Sequence, residues 1–254
     1  MSRRGVERMI RAALSGLLGC ALALPALAAP GCPAIPARNP PPREAVAENL
    51  DIADWRGRVA QLDQQLARAN RNAANLVFLG DSLTQGWEPT MFAQFFGHRR
   101  TLNLGVAGDF TQGMLWRLQA GQWGSMRPAM VVLLVGTNNA QAGGRAEDIA
   151  LGIAEVIRFI HTRSPQTRVL LLGLLPRGAD ASDPVRQVNF RVNQLIARCA
   201  DGRATIYQDV GGLMISADGR LSDQIAFDRL HLTMVGYAII GAAIAPTVQA
   251  VLGN

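Results

Sequence analysis

The chain has 254 residues, a formal net charge of +6, and 17% charged against 49% apolar residues. That length carries one domain, or a small pair, with a sizeable core, and the composition excludes a disordered or fibrous chain. The positive charge is no nucleic-acid signature: all 25 basic residues are arginine, they form no patch, and about half the surplus lies in residues 1–28.

Residues 1–28 read as an export signal. Arg3, Arg4, Arg8 and Arg11 precede an apolar run over 12–27, which Pro25 interrupts. Ala26-Leu27-Ala28 then fits a small-x-small cleavage pattern. A membrane anchor is the alternative, but the run is shorter than the roughly 20 residues of a bilayer span. Ser2-Arg3-Arg4 carries a weak twin-arginine feature, and Leu17-Leu18-Gly19-Cys20 resembles a lipoprotein box whose apolar run continues past the cysteine. No other segment reads as transmembrane, so no stable membrane span is expected after cleavage and the expected location is periplasmic or secreted. Of three cysteines, Cys32 and Cys199 remain. In an oxidising compartment they are either a disulfide or two unrelated thiols, and the sequence leaves both open.

Residues 29–50 form a tail or linker, with six of the 13 prolines between positions 30 and 42. The domain is expected over 51–254. It opens on a helix pattern carrying Trp55, Val59, Leu62 and Leu66 at helical spacing. Apolar runs at 76–79, 101–104, 130–135 and 169–175, with a weaker one at 204–207, read as strands buried on both faces of a parallel sheet. Between them, Ile149, Ile153, Val156, Ile157 and Ile160 mark one helix face, and Val185, Val188, Val192, Leu195 and Ile196 another. Residues 233–252 form a last, almost wholly apolar helix. The alternation predicts a three-layer α/β/α sandwich, flavodoxin-like, around a central parallel sheet of about five strands.

In such sheets ligands bind beyond the carboxyl ends of the strands. Four strand-end or loop segments carry reactive residue types. Gly80-Asp81-Ser82-Leu83 places a serine at a tight strand-to-helix turn, although Asp or Ser there is commonly only a cap. The Gly-x-Ser-x-Gly elbow is absent, since Thr84 stands where the last glycine would be. In the segment 103–109, Gly108 offers a bare amide to an oxyanion, or simply turns the chain; a dinucleotide loop is disfavoured because Gly-x-Gly-x-x-Gly is incomplete. Gly136-Thr137-Asn138-Asn139 supplies a neutral side-chain donor, or an Asn-capped turn. Asp228-Arg229-Leu230-His231 puts an imidazole within one turn of a carboxylate, a spacing too common to stand alone. Trp87, Trp116 and Trp123 follow the functional turns and read as core-edge packing rather than a cleft lining.

Together the four blocks resemble the GDSL or SGNH family of serine hydrolases over about residues 75–250, and more closely the catalytic subunits of intracellular platelet-activating-factor acetylhydrolases. Supporting stretches are Phe78-Leu79-Gly80-Asp81-Ser82-Leu83, Leu115-Trp116-Arg117-Leu118, Val135-Gly136-Thr137-Asn138-Asn139, the segment 172–178 and Leu230-His231-Leu232. The resemblance implies Ser82 as nucleophile, His231 as base then acid, and Asp228 orienting it. It implies an oxyanion hole from the amides of Ser82 and Gly108 and the Asn138 side chain. It places Leu83, Thr137 and Leu230 around a small acyl pocket. The implied activity is an ester hydrolase for short, foremost acetyl, esters; the N-terminal signal adds the expectation of export, where an acylated glycan, lipid or other small ester is the expected substrate. No metal or organic cofactor is implied, and His98 and His161 show no ligand spacing. The subfamily's members form dimers, so a homodimer is one expected arrangement. Competing readings are an acyltransferase to sugars with the same site, and a non-catalytic binding module. The export signal and the segment 211–226 depart from the subfamily.

Overall fold

Residues 32–253 are described by a computed structural model, so the expected signal, including Cys20, lies outside the described residues. Five apolar runs form β1 (Leu76–Gly80), β2 (Thr101–Gly105), β3 (Met130–Leu134), β4 (Arg168–Leu172) and β5 (Thr205–Gln208). Every residue of β1 and β3 is buried. That is why these strands lack polar alternation: each faces helices on both sides. All pairings are parallel, in the order β2-β1-β3-β4-β5. The chain leaves β1 toward one edge and returns to β3 on its other side. This creates a topological switch point beside β1, where ligands bind in such sheets.

The helices are α1 (Ala53–Arg68), α2 (Ser82–Gln85), α3 (Pro89–Phe96), α4 (Thr111–Arg117), α5 (Thr137–Gln141), α6 (Ala146–Arg163), α7 (Pro184–Ile196) and α8 (Met234–Leu252). They flank the sheet to give the three-layer α/β/α sandwich. α6 packs against α4 and α7, while α8 packs against α3. Trp55, Val59, Leu62 and Leu66 of α1 are buried, as their spacing predicts. Trp87 and Trp123 are also buried, with Trp116 half-buried. α8 is long and apolar enough by length and composition to cross a membrane, which the sequence reading passed over. Here its Gly236, Tyr237, Ile240, Gly241, Ile244 and Val248 face inward.

Two elements differ from expectation for local reasons. β4 ends at Leu172 rather than 175, because Leu174 exchanges both backbone bonds with the Asn193 amide (2.7 and 2.9 Å) instead of a neighbouring strand. The buried stripe of α7 is correspondingly mixed. Val192 and Ile196 are buried beside Arg186, Asn189 and Asn193, while Val185, Val188 and Leu195 are only half-buried.

The proline-rich segment lies against the domain. Cys32 and Cys199 form a disulfide across 167 residues of sequence. Arg38 pairs with Asp148 at 2.7 Å, and the Glu44 carbonyl accepts from the Thr111 hydroxyl at 2.8 Å. Gly152 of α6 permits that approach, since a Cβ there would sit 2.4 Å from the Glu44 carbonyl oxygen.

Candidate active site

The site is assembled at the exits of β1, β2 and β3 and on the loop before α8. At the end of β1, Gly80 has no room for a side chain: a Cβ would lie 1.8 Å from Thr84 Oγ1 and 2.6 Å from the Leu134 carbonyl. Asp81 caps α2 by accepting the Leu83 amide at 2.9 Å, so Ser82 starts the helix. Asp81 is fully buried, and its Oδ2 has no hydrogen-bond partner among the described residues. Burial pushes its carboxyl up to about 7; the Leu83 amide and His231 oppose the rise, and the charge of Asp109 adds to it.

Ser82 Oγ lies 3.0 Å from His231 Nε2. His231 Nδ1 lies 2.7 Å from Asp228 Oδ2. The other Asp228 oxygen accepts the amides of Leu230 (3.0 Å) and His231 (2.6 Å), which locks the carboxylate under the ring. Partial burial raises the Asp228 carboxyl, but the His231 ring and the two amides outweigh it and hold it below its ordinary range. The turn depends on Arg229 in the left-handed region, φ 65°, with its amide returned to the Ala226 carbonyl at 3.0 Å. A serine hydroxyl joined to an imidazole that is itself oriented by a carboxylate is the relay of serine hydrolases: the imidazole takes the hydroxyl proton as the oxygen attacks.

The loop after β2 is held by a buried clamp that the sequence reading missed. Gly108 sits at φ +73° with none of the described residues within 4 Å of where a Cβ would stand, so the backbone angle rather than crowding selects glycine. The turn bond is made by the next residue, Asp109 N to Val106 O at 3.1 Å. The Asp109 carboxylate accepts Trp55 Nε1 and Arg117 Nε, each at 2.8 Å, and both ends of the Asp109–Arg117 pair are fully buried. Arg117 also donates to Gln122 at 2.8 Å. Asn138, at the start of α5, donates from Nδ2 to the Asp109 carbonyl at 2.9 Å. One side-chain proton of Asn138 is thus committed to the loop carrying Gly108, and an amide has a second to offer.

Thr137 and Leu83 are buried, and Leu230 is half-buried against the core. Thr137 Oγ1 accepts Arg177 Nη1 at 3.2 Å and Asn189 Nδ2 at 3.1 Å. Arg177 and Asn189 were not singled out from sequence. Arg177 lies within the quoted block 172–178, whereas Asn189 had no signal beyond a polar position on a helix.

The GDSL-like lipase/acylhydrolase family profile matches residues 78–239. Platelet-activating factor acetylhydrolase IB subunit alpha2 of Rattus norvegicus is 39% identical over 168 residues, covering 65% of this chain and 72% of that protein. A GDSL-like lipase from Bacteroides thetaiotaomicron superposes with a TM-score of 0.60 at 22% identity, covering 76% of this chain and 97% of the other. A catalytic mutant of an acetylxylan esterase from Geobacillus stearothermophilus gives 0.55 at 14% identity, covering 70% and 93%. At such identities these two structures share the fold alone. The α/β/α fold and the family and relative matches together define a carboxylic ester hydrolase. More narrowly, the chain belongs to the GDSL-like lipase/acylhydrolase family.

Proposed function

We propose that this protein is an exported serine acylesterase that removes acetyl and other short acyl groups from an esterified glycan. The observation carrying the reading is the continuous Ser82–His231–Asp228 hydrogen-bonded array. Ser82 Oγ attacks the ester carbonyl carbon while His231 Nε2 takes the hydroxyl proton. The tetrahedral oxyanion is met by the Ser82 and Gly108 amides and the second Nδ2 proton of Asn138. His231 then returns the proton to the departing alcohol oxygen, leaving acyl-Ser82. Water repeats the sequence: it attacks the acyl carbon, His231 takes its proton, and Ser82 is regenerated with release of the carboxylic acid. Asp228 holds the imidazole tautomer and stabilises the imidazolium.

Leu83, Thr137 and Leu230 are proposed to bound the acyl group. The names of the relatives support acetyl: one is an acetylhydrolase, and a fold neighbour is an acetylxylan esterase. The basic, then apolar, N-terminus supports export, as does a Cys32–Cys199 disulfide, which persists in oxidising compartments. The decisive experiment is an acyl-chain-length series of aryl esters together with acetylated xylo-oligosaccharides, each assayed with wild type and Ser82→Ala. The expected result is turnover that falls with acyl length and a loss of at least ~10³-fold in Ser82→Ala. Undiminished turnover in that variant overturns the assignment.

A further inference from the structure

A second cleft, of about 290 Å³, opens at the carboxyl ends of β4 and β5, on the same edge of the sheet as Ser82. Two of its buried polar groups have unused hydrogen-bonding capacity. Arg186 is 9% exposed and Asn189 1% exposed, and among the described residues Arg186 Nη1 and Asn189 Oδ1 have no hydrogen-bond partner. Leaving a buried polar group unpaired costs about 1–3 kcal/mol, so a fold that keeps two of them side by side in one cleft calls for a ligand that pairs them.

The remaining lining defines what that ligand is. Asp209 contributes a carboxylate, with one oxygen taken by the Gly211 amide at 2.8 Å and the other 3.5 Å from the Tyr207 hydroxyl. Arg186 is therefore a donor, while Asn189 Oδ1 and Asp209 are acceptors. Hydroxyl groups both donate and accept, so adjacent hydroxyls satisfy this set. One guanidinium and one carboxylate in the same cleft leave no net charge to favour an anion or a cation. Leu175 and Ile215 supply an apolar surface, and Phe190 lines the cleft while 63% exposed. An exposed aromatic ring beside convergent polar groups suits the C–H face of a sugar ring.

We infer that this cleft is a subsite for a neutral sugar unit of an oligosaccharide whose acetyl ester is cleaved at Ser82. The inference rests on the esterase reading above and names its substrate. The two regions are physically joined: Asn189 Nδ2 donates to Thr137 Oγ1 at 3.1 Å, and Thr137 immediately precedes Asn138. β4 lies two strands from β1, about 10 Å at ordinary strand spacing. A sugar held in the cleft therefore reaches Ser82 only as part of a chain of several units.

The test compares kcat/KM for acetylated xylotetraose with that for phenyl acetate in wild type, Phe190→Ala and Arg186→Met. The expected result is a fall of about tenfold in the ratio of the two values in each variant, carried by KM on the oligosaccharide. Arg186→Met is further expected to keep or raise Tm, because it removes a buried donor that has no partner among the described residues. An unchanged ratio in both variants, or a wild type that cleaves phenyl acetate but not acetylated xylotetraose, overturns the subsite. Phenyl acetate hydrolysis that survives Ser82→Ala instead overturns the underlying esterase reading. Titrating unacetylated xylotetraose into full-chain Ser82→Ala reports on the cleft without turnover. Saturable binding that is weakened by Phe190→Ala supports the subsite, and no binding overturns it.

Discussion

Replacing Asp81 by Asn isolates the stability cost of one buried carboxyl beside the nucleophile. Asparagine keeps an oxygen to accept the Leu83 amide, so the cap of α2 survives. What disappears is the titration. Burial lifts the folded-state value from 3.8 to about 7, a difference worth roughly 4 kcal/mol. The sign follows from proton counting. Between these two values the folded chain holds a proton that the unfolded chain has lost, so wild-type stability falls as pH rises through this window. The full cost is reached above the folded-state value. Asp81→Asn should therefore match wild type near pH 4 and exceed it increasingly toward pH 8, by up to roughly 4 kcal/mol. Urea unfolding of both proteins at a series of pH values measures this directly, since other titrating groups cancel in the difference. A stability difference independent of pH would falsify the reasoning and mean that Asp81 is ionised throughout or solvated in the native state.

Three other perturbations test the scaffold and the oxyanion site. Arg117→Met leaves the Asp109 carboxylate buried with the Trp55 indole and the Phe110 amide but without its cation; a loss of about 3–5 kcal/mol by denaturant unfolding is expected, and a change within 1 kcal/mol would show the pair to be dispensable. Cys199→Ser opens a loop of 167 residues and should cost up to about 5 kcal/mol, with reduced wild type behaving alike. A variant as stable as the oxidised protein would argue against the bond. Asn138→Ala removes a donor from the proposed oxyanion hole and is expected to lower kcat by about 10²–10³ with KM little changed; an effect confined to KM would place Asn138 in ground-state binding instead.

The local reading succeeded where one element's own surroundings decide the outcome. Continuous apolar runs mark strands covered on both faces, and glycines at the end of β1 and after β2 mark a turn with no space and a turn with positive φ. The apolar face of α7 was legible only in part, because a polar stripe at positions 186, 189 and 193 has helical spacing yet no signature of burial. Its burial depends on what it meets, namely the Leu174 backbone and Thr137.

By itself the sequence determined the α/β class and the four blocks that carry Ser82, Gly108, Asn138 and His231. It also carried the short-range pairing of Asp228 with His231, which needs only one turn. Tertiary structure alone decided the contacts that cross the molecule. His231 reaches Ser82 across 149 positions, and Trp55 reaches Asp109 across 54. Cys32 meets Cys199 across 167. Residue pattern reports how buried each position wants to be, but a hydrogen bond or disulfide needs a particular partner at a particular distance. That partner is set by strand order and helix packing, which bring distant segments to one edge of the sheet.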